Sequence, residues 1–323
     1  MPADREAVLR ILARERLCID RAAPGRTTFL SHLGAMTKLV PGPWIAHRDL
    51  LLALALANLT PDQRRSLAQA VLVDYDREFG VGRLLLRALP SGLPFGGASL
   101  ALRPRGGEPR CLYTWALGGD ALADPCDWLL LRAQPEWALD GRSALEPAVL
   151  ETLHALGSDV VIFVPSAVAA RQVADLCLKG IPYTAHPRFL PHLEHTDNDA
   201  KIALWPDDAV PSPSLARRKV SAVIIVDGTE TTARTIRRWA AVLSDSREAE
   251  TGKPNDIEIT EACCPGRVDK AGLLRFWEAC GRPAILLRGD PAWTSPGQTW
   301  LRLAGAEVEL QVDESTQLGL FEL

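Results

Sequence analysis

The sequence predicts an α/β protein, with a largely parallel sheet domain over residues 141–312 behind a mixed helical and β region over 1–140. Two runs carry the prediction: 159–164 (D-V-V-I-F-V) and 221–226 (S-A-V-I-I-V) are apolar almost throughout and bounded by turn residues, as strands buried on both faces must be. Segments of helical spacing alternate with such runs, the chain order of a parallel sheet covered by helices. Hydrophobic residues make up 47% of the 323, ample for a sizeable core.

Residues 1–90 read as helical. Residues 3–16 alternate apolar and charged side chains at helical spacing, and 49–59 is a strongly apolar helix started by Asp49. Thr60-Pro61-Asp62-Gln63 offers an N-cap hydroxyl, a Pro at the first helical position and a side chain that reaches back, so a helix starts there and runs to about 72. Leu93-Pro94-Phe95-Gly96-Gly97 is a loop, 99–103 and 110–117 flank Arg105-Gly106-Gly107-Glu108 as a hairpin, and 127–133 is a further strand. Beyond 140 the helices are expected at 145–156, 167–178, 231–244 and 269–280. The strands are expected at 159–164, 201–205, 221–226, 256–261, 284–288 and 307–312. Residues 244–255 read as a charged surface loop, and 313–323 as a flexible tail.

The formal charge of -4 gives no global electrostatic footprint for nucleic acid, so any DNA contact must be local or brought by a partner. Only six of the 36 basic residues are Lys, a composition typical of a GC-rich genome, and single arginines carry little weight as signals. The first residues are charged at once and lack the apolar stretch of a signal peptide, and 50–57 is too short to span a bilayer. A cytoplasmic protein without membrane contact is expected. The cysteines at 18, 111, 126, 177, 263, 264 and 280 are odd in number and form no CxxC pair, which favours reduced thiols over a disulfide framework or zinc ribbon. His186, His192 and His195, with Glu194 and Asp197, read as surface-loop residues rather than metal ligands. No cofactor is expected.

Val312-Asp313-Glu314-Ser315-Thr316 is mostly polar and leads into Gln317-Leu318-Gly319-Leu320-Phe321. Exposed Leu, Leu and Phe on such a tail suit a peptide buried on a partner. Leu320 and Phe321 would fill an apolar pocket, Leu318 a smaller hole, and Gln317 would fix register by hydrogen bonds. The pentapeptide resembles the motif by which bacterial replication and repair proteins bind the β sliding clamp, usually Q-L-(Ser/Asp)-L-Phe. Four positions match, and Gly319 falls at the variable third. The resemblance implies the clamp as partner and DNA replication or repair as process.

Residues 159–228 resemble the second RecA-like lobe of superfamily 2 helicases. The similarity rests on Val161-Ile162-Phe163-Val164-Pro165-Ser166, the turn Gly180–Pro187, Ile202-Ala203-Leu204-Trp205-Pro206-Asp207, and Val220–Asp227. The arginine-finger motif is missing, with Arg234, Arg237 and Arg238 only a loose echo of it. The phosphate loop needed for ATP hydrolysis is missing too, since Ala22-Ala23-Pro24-Gly25-Arg26-Thr27-Thr28 lacks its leading Gly and its Lys. The resemblance therefore implies a non-hydrolysing lobe. Arg217, Arg218, Lys219, Arg237 and Arg238 are the candidates for contact with DNA phosphates.

A competing reading is enzymatic: a divergent nucleotide hydrolase or a phosphoribosyltransferase. Residues 223–235 resemble the PRPP loop of phosphoribosyltransferases, which implies that Asp227 takes a ribose hydroxyl and that Thr231, Thr232 and Thr235 hold a phosphate at a helix N-terminus. Gly228 replaces the family's second acid, and Ala233 its Gly. The bland alternative is a strand, a turn and a Thr-capped helix. Taken together the sequence is expected to encode a clamp-recruited accessory protein, in contact with DNA and other replication or repair proteins, whose body has no complete active site.

Overall fold

Three sheets organise the chain in the computed structural model, which describes residues 15–20, 25–33, 41–57, 59–133, 144–194, 196–209, 215, 218–228, 230–251, 257–289 and 291–311. Two compact units contain them: Met1–Asp140 with Arg267–Leu323, and Gly141–Gly266. The α/β class is as the sequence predicts.

The first unit opens with β1 (Leu17–Ile19), β2 (Thr27–Leu30), β3 (Trp44–His47) and β4 (Val71–Val73), a four-stranded parallel sheet in that order. Between β3 and β4 lie α1 (Arg48–Ala55) and α2 (Pro61–Ala68). The Thr60 capping box forms as expected: Thr60 Oγ1 accepts from the Gln63 amide at 3.3 Å, and Gln63 Oε1 from the Thr60 amide at 2.9 Å. Then come β5 (Glu78–Val81), β6 (Leu84–Pro90), β7 (Ala98–Pro104), β8 (Cys111–Thr114) and β9 (Trp128–Arg132). With β15 (Ala284–Arg288) and β16 (Val308–Gln311) they make a seven-stranded sheet, ordered β16-β15-β9-β8-β7-β6-β5. Its β16-to-β8 half is parallel and its β8-to-β5 half antiparallel.

Strand alternation distributes its core. Trp128 and Leu130 face Leu17, Ile19, Phe29 and Ile45 of the four-stranded sheet. Leu129 and Leu131 face the other way, onto Leu273, Phe276 and Trp277 of α6 (Lys270–Ala279) and Leu301 of α7 (Pro291–Leu303).

The second unit contains α3 (Pro147–Ala155), β10 (Asp159–Val164), α4 (Ala167–Cys177), β11 (Tyr183–Ala185), β12 (Ile202–Pro206), β13 (Val220–Val226), α5 (Glu230–Thr251) and β14 (Glu258–Ala262). Its sheet is wholly parallel, in the order β11-β12-β10-β13-β14. Val160, Ile162 and Val164 pack under α4, and Val161 and Phe163 under Ala233, Ile236 and Trp239 of α5. Covering on both faces is why β10 and β13 are apolar at consecutive positions.

Four expectations are corrected. Within 17–90 the chain is not helical throughout but carries six strands, and Val71–Val73 is a strand rather than the end of α2. Residues 244–251 continue α5 instead of forming a loop. Residues 267–311 do not complete the sheet of 141–266, because β15 pairs in parallel with β9, Leu286 opposite Leu130. Finally, His192 is buried in a single 3-10 turn rather than set on a surface loop.

Candidate functional site

The tail residues Gln317, Leu318, Gly319, Leu320 and Phe321 lie outside the described residues, as do Arg217 and His195. The other sequence candidates fall on the second unit. Asp227 follows β13 with a left-handed φ of 51° and is buried. Its Oδ1 accepts from the Cys264 amide at 2.8 Å, and its own amide donates to the Ala262 carbonyl at 3.0 Å, so it ties the carboxyl ends of β13 and β14. A Cβ at Gly228 would sit 2.5 Å from Ile225 Cγ2, a steric reason for the missing second acid. Thr231 is exposed and Thr232 half-buried in the first turn of α5. Thr235 turns its hydroxyl back to the Thr231 carbonyl at 3.0 Å, which occupies it within the helix.

The basic candidates do not form one patch. Arg218 donates to the carbonyl of Ala200 at 2.9 Å and bonds the lead-in to β12. Lys219 is exposed where the chain enters β13. Arg237 and Arg238 are exposed on α5, with Arg237 paired to Glu261.

Among the described residues, a buried polar cluster lies in the first unit, at the carboxyl ends of parallel strands from both of its sheets. Asp20 follows β1 with a φ of 56° and is 6% exposed. Its Oδ1 accepts from the Ser31 amide at 2.6 Å, and its Oδ2 from the Ser31 hydroxyl and from the Tyr113 hydroxyl, the latter at 2.7 Å. Next to Ser31, His32 places Nε2 4.0 Å from Asp20 Oδ2, beyond hydrogen-bond reach. That nitrogen is buried without a hydrogen-bond partner, a condition that costs about 1–3 kcal/mol. The imidazole stacks on Trp115 at 4.3 Å and 30°, and the Arg132 guanidinium lies 3.8 Å from the Trp115 ring.

Strand parity brings further arginines to this node. Arg132 shares the face of Leu130, and Arg288 that of Leu286, both turned toward the four-stranded sheet. The two arginines are register partners at the last positions of β9 and β15. Arg267 bridges to Gly118, just beyond β8. Burial pushes the Asp20 carboxyl up to about 6, an effect partly offset by its bonds from Ser31 and Tyr113 and by the charge of Arg132. Burial, with Arg132 and Arg267, holds His32 down at about 3, so the ring is neutral at physiological pH. Tyr113 is raised, first by burial and then by Asp20.

Beside the node, His47 ends β3 and stacks on Tyr75 at 3.8 Å, and Tyr75 donates to the Gly97 carbonyl at 2.9 Å. The loop expected at 93–97 thus packs onto the first turn of α1. Gly96, at φ 68°, would place a Cβ 2.6 Å from His47 Nδ1.

Asp20, Ser31, His32, Tyr113, Trp115, Arg132, Arg267 and Arg288 belong to no motif legible in the sequence. The available signal was a polar residue directly after each short apolar strand, L-C-I-D and T-T-F-L-S-H. Runs of three and four residues are too short to separate strand from helix.

No family model matches the chain, and no curated protein matches it. Among solved structures it is similar to that of a protein of unknown function from Enterococcus faecalis V583, with a TM-score of 0.55 over 88% of this chain and 79% of that one. At 13% identity the likeness concerns the fold alone.

Proposed function

We propose that the protein is an accessory factor of DNA replication or repair, recruited by the bacterial sliding clamp through Gln317-Leu318-Gly319-Leu320-Phe321. The observation that carries this reading is the pentapeptide, which follows the last strand of the first unit after the mostly polar residues 312–316. Its two adjacent apolar anchors and its leading Gln supply pocket filling and register in a peptide of five residues.

A helicase-like, non-catalytic second unit fits beside it. The four segments that resemble the helicase lobe fall on β10, β11, β12 and β13, which are neighbours in one parallel sheet. Their polar ends, Ser166, His186, Asp207 and Asp227, therefore follow the same edge of that sheet. The phosphoribosyltransferase alternative is less favoured: Asp227 is bonded to the neighbouring strand end, Thr235 to its own helix, and position 228 is closed to a side chain.

A synthetic peptide bearing Gln317–Phe321 should compete the full chain off immobilised clamp, while one with Leu320 and Phe321 changed to Ala should not. Failure of the first peptide to compete rules the reading out.

A further inference from the structure

We propose that Cys126 and Cys280 are a modification site, a pair of thiols that a peroxide oxidises to a reversible disulfide. The pair is independent of the clamp-binding tail. Cys126 stands just ahead of β9, and Cys280 caps the end of α6, ahead of β15. The Cys126 amide donates to the Cys280 carbonyl at 3.1 Å, and the Cys126 thiol donates to the Cys280 sulfur. Two bonds between the same two residues bring both backbones and sulfurs to the close approach a disulfide needs. The strands that follow fix this approach: the Ala284 amide donates to the Asp127 carbonyl at 3.1 Å, and Trp128 lies opposite Ala284.

Access and acidity are divided between the two sulfurs. Cys280 is buried, whereas Cys126 is half-buried and reaches solvent. Bonds from the Cys126 thiol and the Asp124 amide hold the Cys280 sulfur below the usual thiol range, while the bond to Cys280 pushes Cys126 up. With one proton held between two sulfurs, the charge can pass to Cys126, and a thiolate is the nucleophile. The Cys126 sulfur attacks one oxygen of hydrogen peroxide, the O–O bond breaks, and a sulfenic acid and water form. The Cys280 sulfur then displaces the sulfenic oxygen, which leaves as a second water, and the S–S bond forms. The thiols give up two electrons and two protons, and the peroxide takes both.

The second unit, Gly141–Gly266, lies in sequence wholly between the two cysteines. The disulfide therefore joins the two chain segments of the first unit covalently and encloses the second unit in one loop. Closing so long a loop restricts the unfolded chain more than a short one does.

The test treats the reduced full chain with hydrogen peroxide, alkylates the remaining thiols and maps the peptides without reduction. Two of the seven thiols should be lost, in one Cys126–Cys280 bridge that dithiothreitol reverses. Thermal unfolding of the oxidised chain should shift upward by several degrees. Cys126→Ser, at the more exposed position, should fold as wild type and show neither bridge nor shift, and Cys280→Ser should do the same. If Cys280→Ser does not fold, Cys126→Ser carries the test. Cys111→Ala, which removes the other thiol whose charge Cys126 feels, should still form the bridge. Retention of all seven thiols, a bridge between any other two cysteines or between two chains, or an equal shift in Cys126→Ser overturns the proposal.

Discussion

The Tyr113 hydroxyl donates to Asp20 Oδ2 at 2.7 Å, a bond across 93 residues that joins β8 of the seven-stranded sheet to the end of β1 in the four-stranded sheet. Both partners are buried, so the bond is not shared with solvent. Tyr113→Phe keeps the ring and deletes only this donor. Hydrogen bonds to charged groups contribute ~1.5–3 kcal/mol, and a loss of that size is expected in denaturant unfolding at pH 7.5. A change within a few tenths of a kcal/mol would show that the bond contributes nothing.

The same carboxyl makes stability depend on pH. An acid whose folded pKa lies above its unfolded value holds its proton more tightly when folded. The contribution of Asp20 is therefore full below 3.8 and lost as the pH rises through about 6. That gap corresponds to ~3 kcal/mol. The difference in unfolding free energy between wild type and Asp20→Asn should shift in favour of wild type as the pH is lowered from 7 to 4. A flat difference contradicts the buried environment.

His32 acts with the opposite sign. Its folded pKa of about 3 lies below the 6.5 of the free ring, so its contribution is full above 6.5 and lost as the pH falls toward 3. Relative to wild type, His32→Gln should become progressively more stable on acidification from pH 7 to 4. Parallel curves for the two proteins would show that His32 titrates normally.

Gly118 and Gly119 are adjacent and make opposite demands. A Cβ at Gly118 would run into the backbone of Gly92, which neither side can yield, whereas one at Gly119 meets nothing within 4 Å. Gly118 also donates its amide to the Ser91 carbonyl at 2.7 Å. Gly118→Ala should cost ~1–3 kcal/mol or more. Gly119→Ala should stay within about 0.5 kcal/mol of wild type by thermal unfolding. Equal effects would mean that the 92–118 approach is looser than the structure shows.

How legible these features were depends on where the physics is local. In the second unit, burial on both faces forces consecutive apolar residues, so β10 and β13 are visible as D-V-V-I-F-V and S-A-V-I-I-V. Capping is equally local, which is why the start of α2 at Thr60 was readable. In the first unit β1 and β2 have three and four residues, and their identity as strands comes from the partners they meet, Leu17 against Thr27 and Thr28 against Trp44. The joining of β15 to β9 is a pairing across nearly half the chain, and nothing near residue 284 in sequence encodes it. The polar node was hidden for the same reason: Asp20, Tyr113 and Arg288 meet only once both sheets are assembled. Individual arginines, discounted on composition, gain meaning only from the strand parity that turns Arg132 and Arg288 to one face.

The most direct test of clamp recruitment is a calorimetric titration of purified β sliding clamp with the full chain and with a Leu320→Ala, Phe321→Ala double variant. Removing two anchors of a short peptide should abolish most of the affinity, a loss of at least tenfold in Kd, while the thermal unfolding of the variant matches wild type. Equal affinities for the two proteins, or no binding by either, would contradict recruitment through Gln317–Phe321.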